Sequence, residues 1–70
     1  MTTNHTYVKT EVVGSSSESV SDAIESAVAM ASRSLRNLDW FEVTAIRGQI
    51  DDGSVAHYQV TLKIGFRLED

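Results

Sequence analysis

The chain has 70 residues, no cysteine and a formal net charge of −4. That length fits one domain over residues 1–70, and the missing cysteines exclude disulfides and thiolate metal sites. Six basic residues against ten acidic ones argue against a nucleic-acid partner, which selects for a basic patch or stripe, and no apolar run approaches the roughly 20 residues of a membrane span.

A domain this small hides only about 60% of the surface its unfolded chain exposes. It therefore needs outside support. The two histidines, His5 and His57, are far apart, so a histidine metal site within one chain is not expected. Self-association into a homo-oligomer is the support that remains. Met1 to Thr6 is polar and lacks the apolar core of a signal peptide, which makes the cytoplasm the expected location.

In chain order, Tyr7 to Val13 reads as a strand. Val8, Thr10 and Val12 alternate with Lys9 and Glu11, the period of a half-buried strand, and Gly14 and the serines are expected to end it. Ser15 to Glu18 has the form of a capping box, a hydroxyl followed three residues later by a carboxylate. A helix should follow. Val20, Ala23, Ile24, Ala27, Val28, Ala31, Leu35 and Leu38 recur at three- and four-residue steps and make one apolar stripe. Asp22 and Glu25 in the early turns and Arg33 and Arg36 in the last would complement the helix dipole.

Two further strands are predicted, Trp40 to Ile50 and Val55 to Leu68, around Asp51-Asp52-Gly53. Asp-Gly is a strong signal for a two-residue hairpin, because both positions tolerate positive φ. The order strand, helix, strand, strand gives an α+β fold. The helix can return the chain so that the last strand lies between the other two, giving a β-α-β-β layout with one helix on a three-stranded antiparallel sheet of strand order 1-3-2. The second sheet face stays bare in the monomer.

With Asp52 and Gly53 as the loop, even positions of the second strand share a face with odd positions of the third. Phe41, Val43 and Ala45 then join Tyr58, Val60, Leu62 and Ile64 under the helix. Trp40, Glu42, Thr44 and Ile46 join Gln59, Thr61 and Lys63 on the bare face. A flat indole and an amide with both donor and acceptor on one surface suit a planar heteroaromatic ligand. The chemistry alone favours the plainer reading, in which Trp40 is a subunit-interface anchor and Gln59 is solvated.

The segments Leu38-Asp39-Trp40-Phe41-Glu42-Val43, Ile46-Arg47-Gly48, Tyr58-Gln59-Val60 and Gly65-Phe66-Arg67-Leu68-Glu69, with Val13-Gly14-Ser15 at the end of the first strand, resemble the dodecin family over nearly the whole chain. The resemblance implies a small flavin-binding subunit of a hollow homododecamer, with flavins paired at two-fold axes between tryptophans of neighbouring subunits. It makes Trp40 the stacking plate and Gln59 the partner of the isoalloxazine edge. It assigns Arg47 and Arg67 to holding the flavin, including a phosphate, and places Asp39 at the border of the site. The bacterial type, which this chain resembles most, implies FMN, with riboflavin as the alternative. Some relatives also bind coenzyme A through basic residues, for which Arg33, Arg36 and Arg67 are the candidates here; surface ion pairs are the plainer reading of those three.

Two departures stand out. Archaeal-type relatives carry an aspartate five residues after the tryptophan, and here that position is Ala45. The predicted register also turns Arg47 towards the helix, so that it reaches a flavin only from a neighbouring chain or past a local bulge. The expected function is flavin storage with quenched photochemistry, not catalysis. A flavoenzyme, or an assembly subunit without a chromophore, are the alternatives.

Overall fold

The computed structural model describes residues 4–68. Met1–Thr3, part of the polar N-terminal stretch, and Glu69, the last residue of the 65–69 segment, lie outside the described residues. The elements are β1 (Tyr7–Ser16), α1 (Val20–Ala31), β2 (Leu38–Asp51) and β3 (Ser54–Arg67). They form one antiparallel sheet of order β1-β3-β2, the expected β-α-β-β fold. The hairpin turn is also as expected. Asp52 and Gly53 have φ of 50° and 78°, and Asp51 pairs with Ser54, so both turn residues have the positive φ of a primed hairpin turn, whose twist matches the right-handed twist of the strands.

β1 is longer than its alternation suggested. It runs through Gly14 to Ser16, which pairs with Tyr58. The capping box expected at 15–18 is therefore displaced. The N-cap is Ser19, whose hydroxyl accepts from the Asp22 amide at 3.0 Å. Buried Ser16 instead ties the strand to the helix start: its Oγ donates to the Asp22 carboxylate at 2.7 Å and accepts from the Glu18 amide at 2.9 Å. Sheet pairing keeps Ser15 and Ser16 extended opposite Gln59 and Tyr58, so the expected cap at Ser15 cannot form.

The helix is also shorter than its stripe. It stops at Ala31, where Ser32 Oγ donates to the Ala29 carbonyl at 2.7 Å and the Arg33 and Ser34 amides bond back three residues. Serine hydroxyls compete with the helical ladder for such carbonyls. Arg33 and Arg36 consequently lie in the connection to β2, and no basic residue occupies the last turn. Asn37, at φ 60°, reverses the chain into β2, and its side-chain amide donates to the Arg67 carbonyl at 3.3 Å.

The core is small: Ala23 and Ala27 of α1 against Val60, Leu62 and Ile64 of β3. Gly14 lets the helix approach this closely, since a Cβ there would overlap the Ala23 carbonyl oxygen. The helix rests on β1 and β3 and barely reaches β2. A helix is about 10 Å across and strands lie about 4.8 Å apart, so one helix covers roughly two strands. Phe41 and Val43, expected in the core, are accordingly 49% and 38% exposed.

The chain is extended. Its radius of gyration is 14.7 Å, against about 11 Å for a compact domain of this length. Its accessible surface is 5149 Å², against about 4300 Å² for a folded monomer of this mass. Large apolar side chains contribute to it: Phe41 is 49% exposed, and Ile46, Ile50 and Val55 are more than half exposed, more than a stable monomer carries. Sedimentation at low micromolar concentration should therefore show one large species with closed symmetry. A folded monomer under those conditions would contradict this expectation.

Candidate functional site

Side chains on the face away from the helix come from odd positions of β1 and β3, because the even positions Val60, Leu62 and Ile64 are buried beneath α1. One transverse row of this outer face reads Lys9, Gly65, Trp40. The indole of Trp40 packs against Gly65, where a Cβ would overlap the six-membered ring. The glycine is a gap in a row of side chains, and the tryptophan fills it from the neighbouring strand.

Tyr7 flanks the indole with ring centroids 6.3 Å apart and planes at 51°. The Lys9 ammonium stands 5.8 Å from the indole centroid and pairs with Glu42 at 3.2 Å. The ring packs against Gly65, and Trp40 remains 40% exposed beside Lys9 and Tyr7, so part of the indole is accessible to a planar partner.

Arg47 departs from its predicted position. The hairpin keeps the expected register at Asp51–Ser54 and again from Val43 to Trp40, but it shifts by one between these stretches, with irregularities at Gln49/Ile50 and Val43/Ala45. Inside the shifted stretch Ala45 opposes Thr61, Ile46 opposes Val60 and Arg47 opposes Gln59. Ala45 and Arg47 therefore lie on the outer face and Ile46 on the helix side, the reverse of the constant-register expectation for all three. Thr44, the extra residue, donates its hydroxyl to the Thr61 carbonyl at 3.2 Å. A bulge of this kind re-aims the side chains that follow it. Arg47 Nε donates to Gln59 Oε1 at 3.2 Å.

The five predicted site residues form two groups. Trp40, Arg67 and Asp39 cluster at one end of the sheet: Arg67 opposes Tyr7, one side-chain row beyond Gly65, and Asp39 is the extra residue in the irregularity between Leu38 and Trp40. Gln59 and Arg47 lie six residues up β3, about 20 Å away at strand rise. Trp40 and Gln59 thus share a face, as expected, but one chain does not bring them together around a single ligand. Sequence reasoning did not single out Lys9 and Tyr7 as neighbours of the indole. The β1–β3 pairing register, which no hairpin turn fixes, was the missing information.

Charge is segregated on this sheet. Lys9, Arg47, Lys63 and Arg67, four of the six basic residues, occupy outer-face positions against Glu11 and Glu42. In a chain of net charge −4, this is a local concentration of cations; the connection 32–37, with Arg33 and Arg36 and no acidic residue, is another. Among the described residues no group of three or more His, Asp or Glu is placed to hold a metal ion, and no helix is long and apolar enough to cross a membrane.

A partly exposed tryptophan on a sheet face that carries four basic residues, in a chain with a small core, fits a small binding protein. Comparison narrows the class. The model of the Dodecin family matches residues 6–69, and the chain belongs to that family. It is 53% identical over 64 residues to the dodecin of Thermus thermophilus, covering 91% of this chain and 93% of that protein. The structure of dodecin from Streptomyces coelicolor superposes with a TM-score of 0.91 at 62% identity, covering 99% of each chain. Structures of Thermus thermophilus dodecin also include variants in which one tryptophan or either of two arginines is replaced, at 49% identity, TM-score 0.90 and 96% of this chain. The arginines follow that tryptophan by 7 and 27 positions, as Arg47 and Arg67 follow Trp40.

Proposed function

We propose that this chain binds a flavin, with FMN preferred to riboflavin, in a closed homododecamer that stores the flavin and quenches its photochemistry without catalysing a reaction. The observation that carries this reading is the half-exposed indole of Trp40 seated over Gly65. Its accessible part offers an isoalloxazine ring a stacking partner. Indole is readily oxidised and an excited flavin is a strong oxidant, so contact returns the excitation as heat through rapid electron transfer and back-transfer.

The cationic outer face supports FMN over riboflavin. Charge-assisted hydrogen bonds to phosphate are stronger than neutral ones, and the planar fork of arginine matches phosphate geometry. Arg67, one row from the indole, is the phosphate partner in this reading, and Asp39 borders the ring. Because Trp40 and Gln59 are far apart in one chain, the complete site is assembled from neighbouring subunits. A flavin stacked on both faces leaves no approach for a substrate, which is why the reading is storage and not turnover.

The test is a titration of apoprotein with FMN followed by flavin emission. Fluorescence should fall nearly to the dark level as sites fill. Emission that stays bright at saturation would show that the ring is not in contact with Trp40.

A further inference from the structure

The hydrogen bond between Arg47 and Gln59 constrains an amide that otherwise has two orientations. A glutamine amide presents an acceptor at one end and two donors at the other, and a guanidinium has donors only. The contact from Arg47 Nε therefore fixes Oε1 towards the arginine and the NH2 group away from it. The two residues meet because the one-residue shift between Val43 and Ala45 brings Arg47 opposite Gln59. In an unshifted hairpin the arginine would point to the helix side and the amide would rotate freely. A charged donor on Oε1 also polarises the amide and strengthens its N–H groups as donors.

We propose that Arg47 is a positioning residue for ring recognition. It holds Gln59 so that the amide N–H and the remaining lone pair of Oε1 form a donor–acceptor pair of fixed sense. That pair matches an imide-type ring edge, a carbonyl beside an N–H, and disfavours an edge whose nitrogen carries a methyl group. This rests on the flavin reading above, and it moves Arg47 from the phosphate, where the family resemblance allowed it, to the ring. The bulge at Thr44 is then part of the site, because it is what brings the clamp to the amide.

Lumiflavin, which has the ring but no ribityl chain or phosphate, separates the two roles. Apoprotein, Arg47→Met and Arg67→Ala are titrated with lumiflavin, 3-methyl-lumiflavin and FMN, with size exclusion to check assembly. Arg47→Met should weaken lumiflavin and FMN by the same factor, about fivefold for one hydrogen bond of typical net strength. It should also shrink the preference for lumiflavin over its 3-methyl analogue. In a Gln59→Ala background the same change should have no further effect on lumiflavin. Arg67→Ala should weaken FMN alone. If Arg47→Met does not assemble, Arg47→Leu, which likewise has no donor for Gln59 Oε1, is read in the same way. Loss of FMN affinity with lumiflavin unchanged would place Arg47 on the phosphate and overturn the inference. An undiminished effect in the Gln59→Ala background would overturn it as well. Wild-type protein that binds neither lumiflavin nor FMN would overturn the flavin reading itself.

Discussion

Trp40→Ala is expected to lower flavin affinity by about 2–4 kcal/mol, roughly thirtyfold to a thousandfold, while the oligomer still assembles. Aromatic stacking contributes about 0.5–1.5 kcal/mol beyond area burial. The apolar area that an indole face covers on a flavin adds the rest at about 25 cal/mol per Å². If each flavin pair sits between two symmetry-related tryptophans, the loss at one site is larger still. The fold should survive because Trp40 lies on the outer face, opposite the buried layer of Val60, Leu62 and Ile64. Gln59→Ala should cost less, about 1 kcal/mol for one net hydrogen bond. Calorimetry or quenching titrations on both variants, with size-exclusion profiles as the assembly control, make the comparison. Normal flavin binding by Trp40→Ala would exclude the proposed site. A variant that falls apart before flavin is added would make Trp40 an interface anchor.

Gly65→Ala is expected to weaken flavin binding nearly as much as loss of the indole, although it deletes no contacting group. The added methyl would occupy the seat of the Trp40 ring, so the indole must move away from the sheet and lose the presentation that stacking requires. The backbone itself has no objection to alanine. Gly65 is not among the positive-φ residues, and it pairs with Lys9 and Trp40 within the antiparallel sheet, just inside the irregularity between Leu38 and Trp40. Stability should therefore change little or rise slightly, since glycine within a strand weakens it. The double variant Gly65→Ala with Trp40→Ala should be no worse than Trp40→Ala alone, because two changes acting through one contact are not additive. Affinity from quenching titrations and the thermal midpoint of the apoprotein read the two effects separately. Unchanged flavin affinity in Gly65→Ala would mean that the seat on the sheet does not set the plate.

The sequence by itself determined the element types, the strand order, the hairpin turn and the outward face of Trp40. Each of these rests on local rules: the two-residue period of Tyr58 to Leu68, the helical spacing of Val20 to Ala31, and the positive φ demanded by Asp52 and Gly53. The sequence also carried the family resemblance, because the segments around Trp40, Arg47, Gln59 and Arg67 are contiguous and stand at fixed separations.

Only the tertiary structure decided that Ser19 and not Ser15 caps the helix, where the helix stops, and which side of the sheet Arg47 faces. Those outcomes depend on partners distant in sequence. Tyr58 holds Ser16 extended, and the irregularities near Thr44 and Ile50 shift β2 against β3 by one residue and then restore the register. A one-residue slip reverses every side chain within it, and the stretch Thr44 to Gln49, which mixes Ala45, Ile46 and Gly48 with polar residues, has no alternation that reveals it. Helix width, likewise, and not hydrophobicity, left Phe41 and Val43 uncovered. The same geometry places Trp40 and Gln59 on one face but about 20 Å apart, because the rise of a strand fixes the distance between two residues that the alternation rule only assigns to a side.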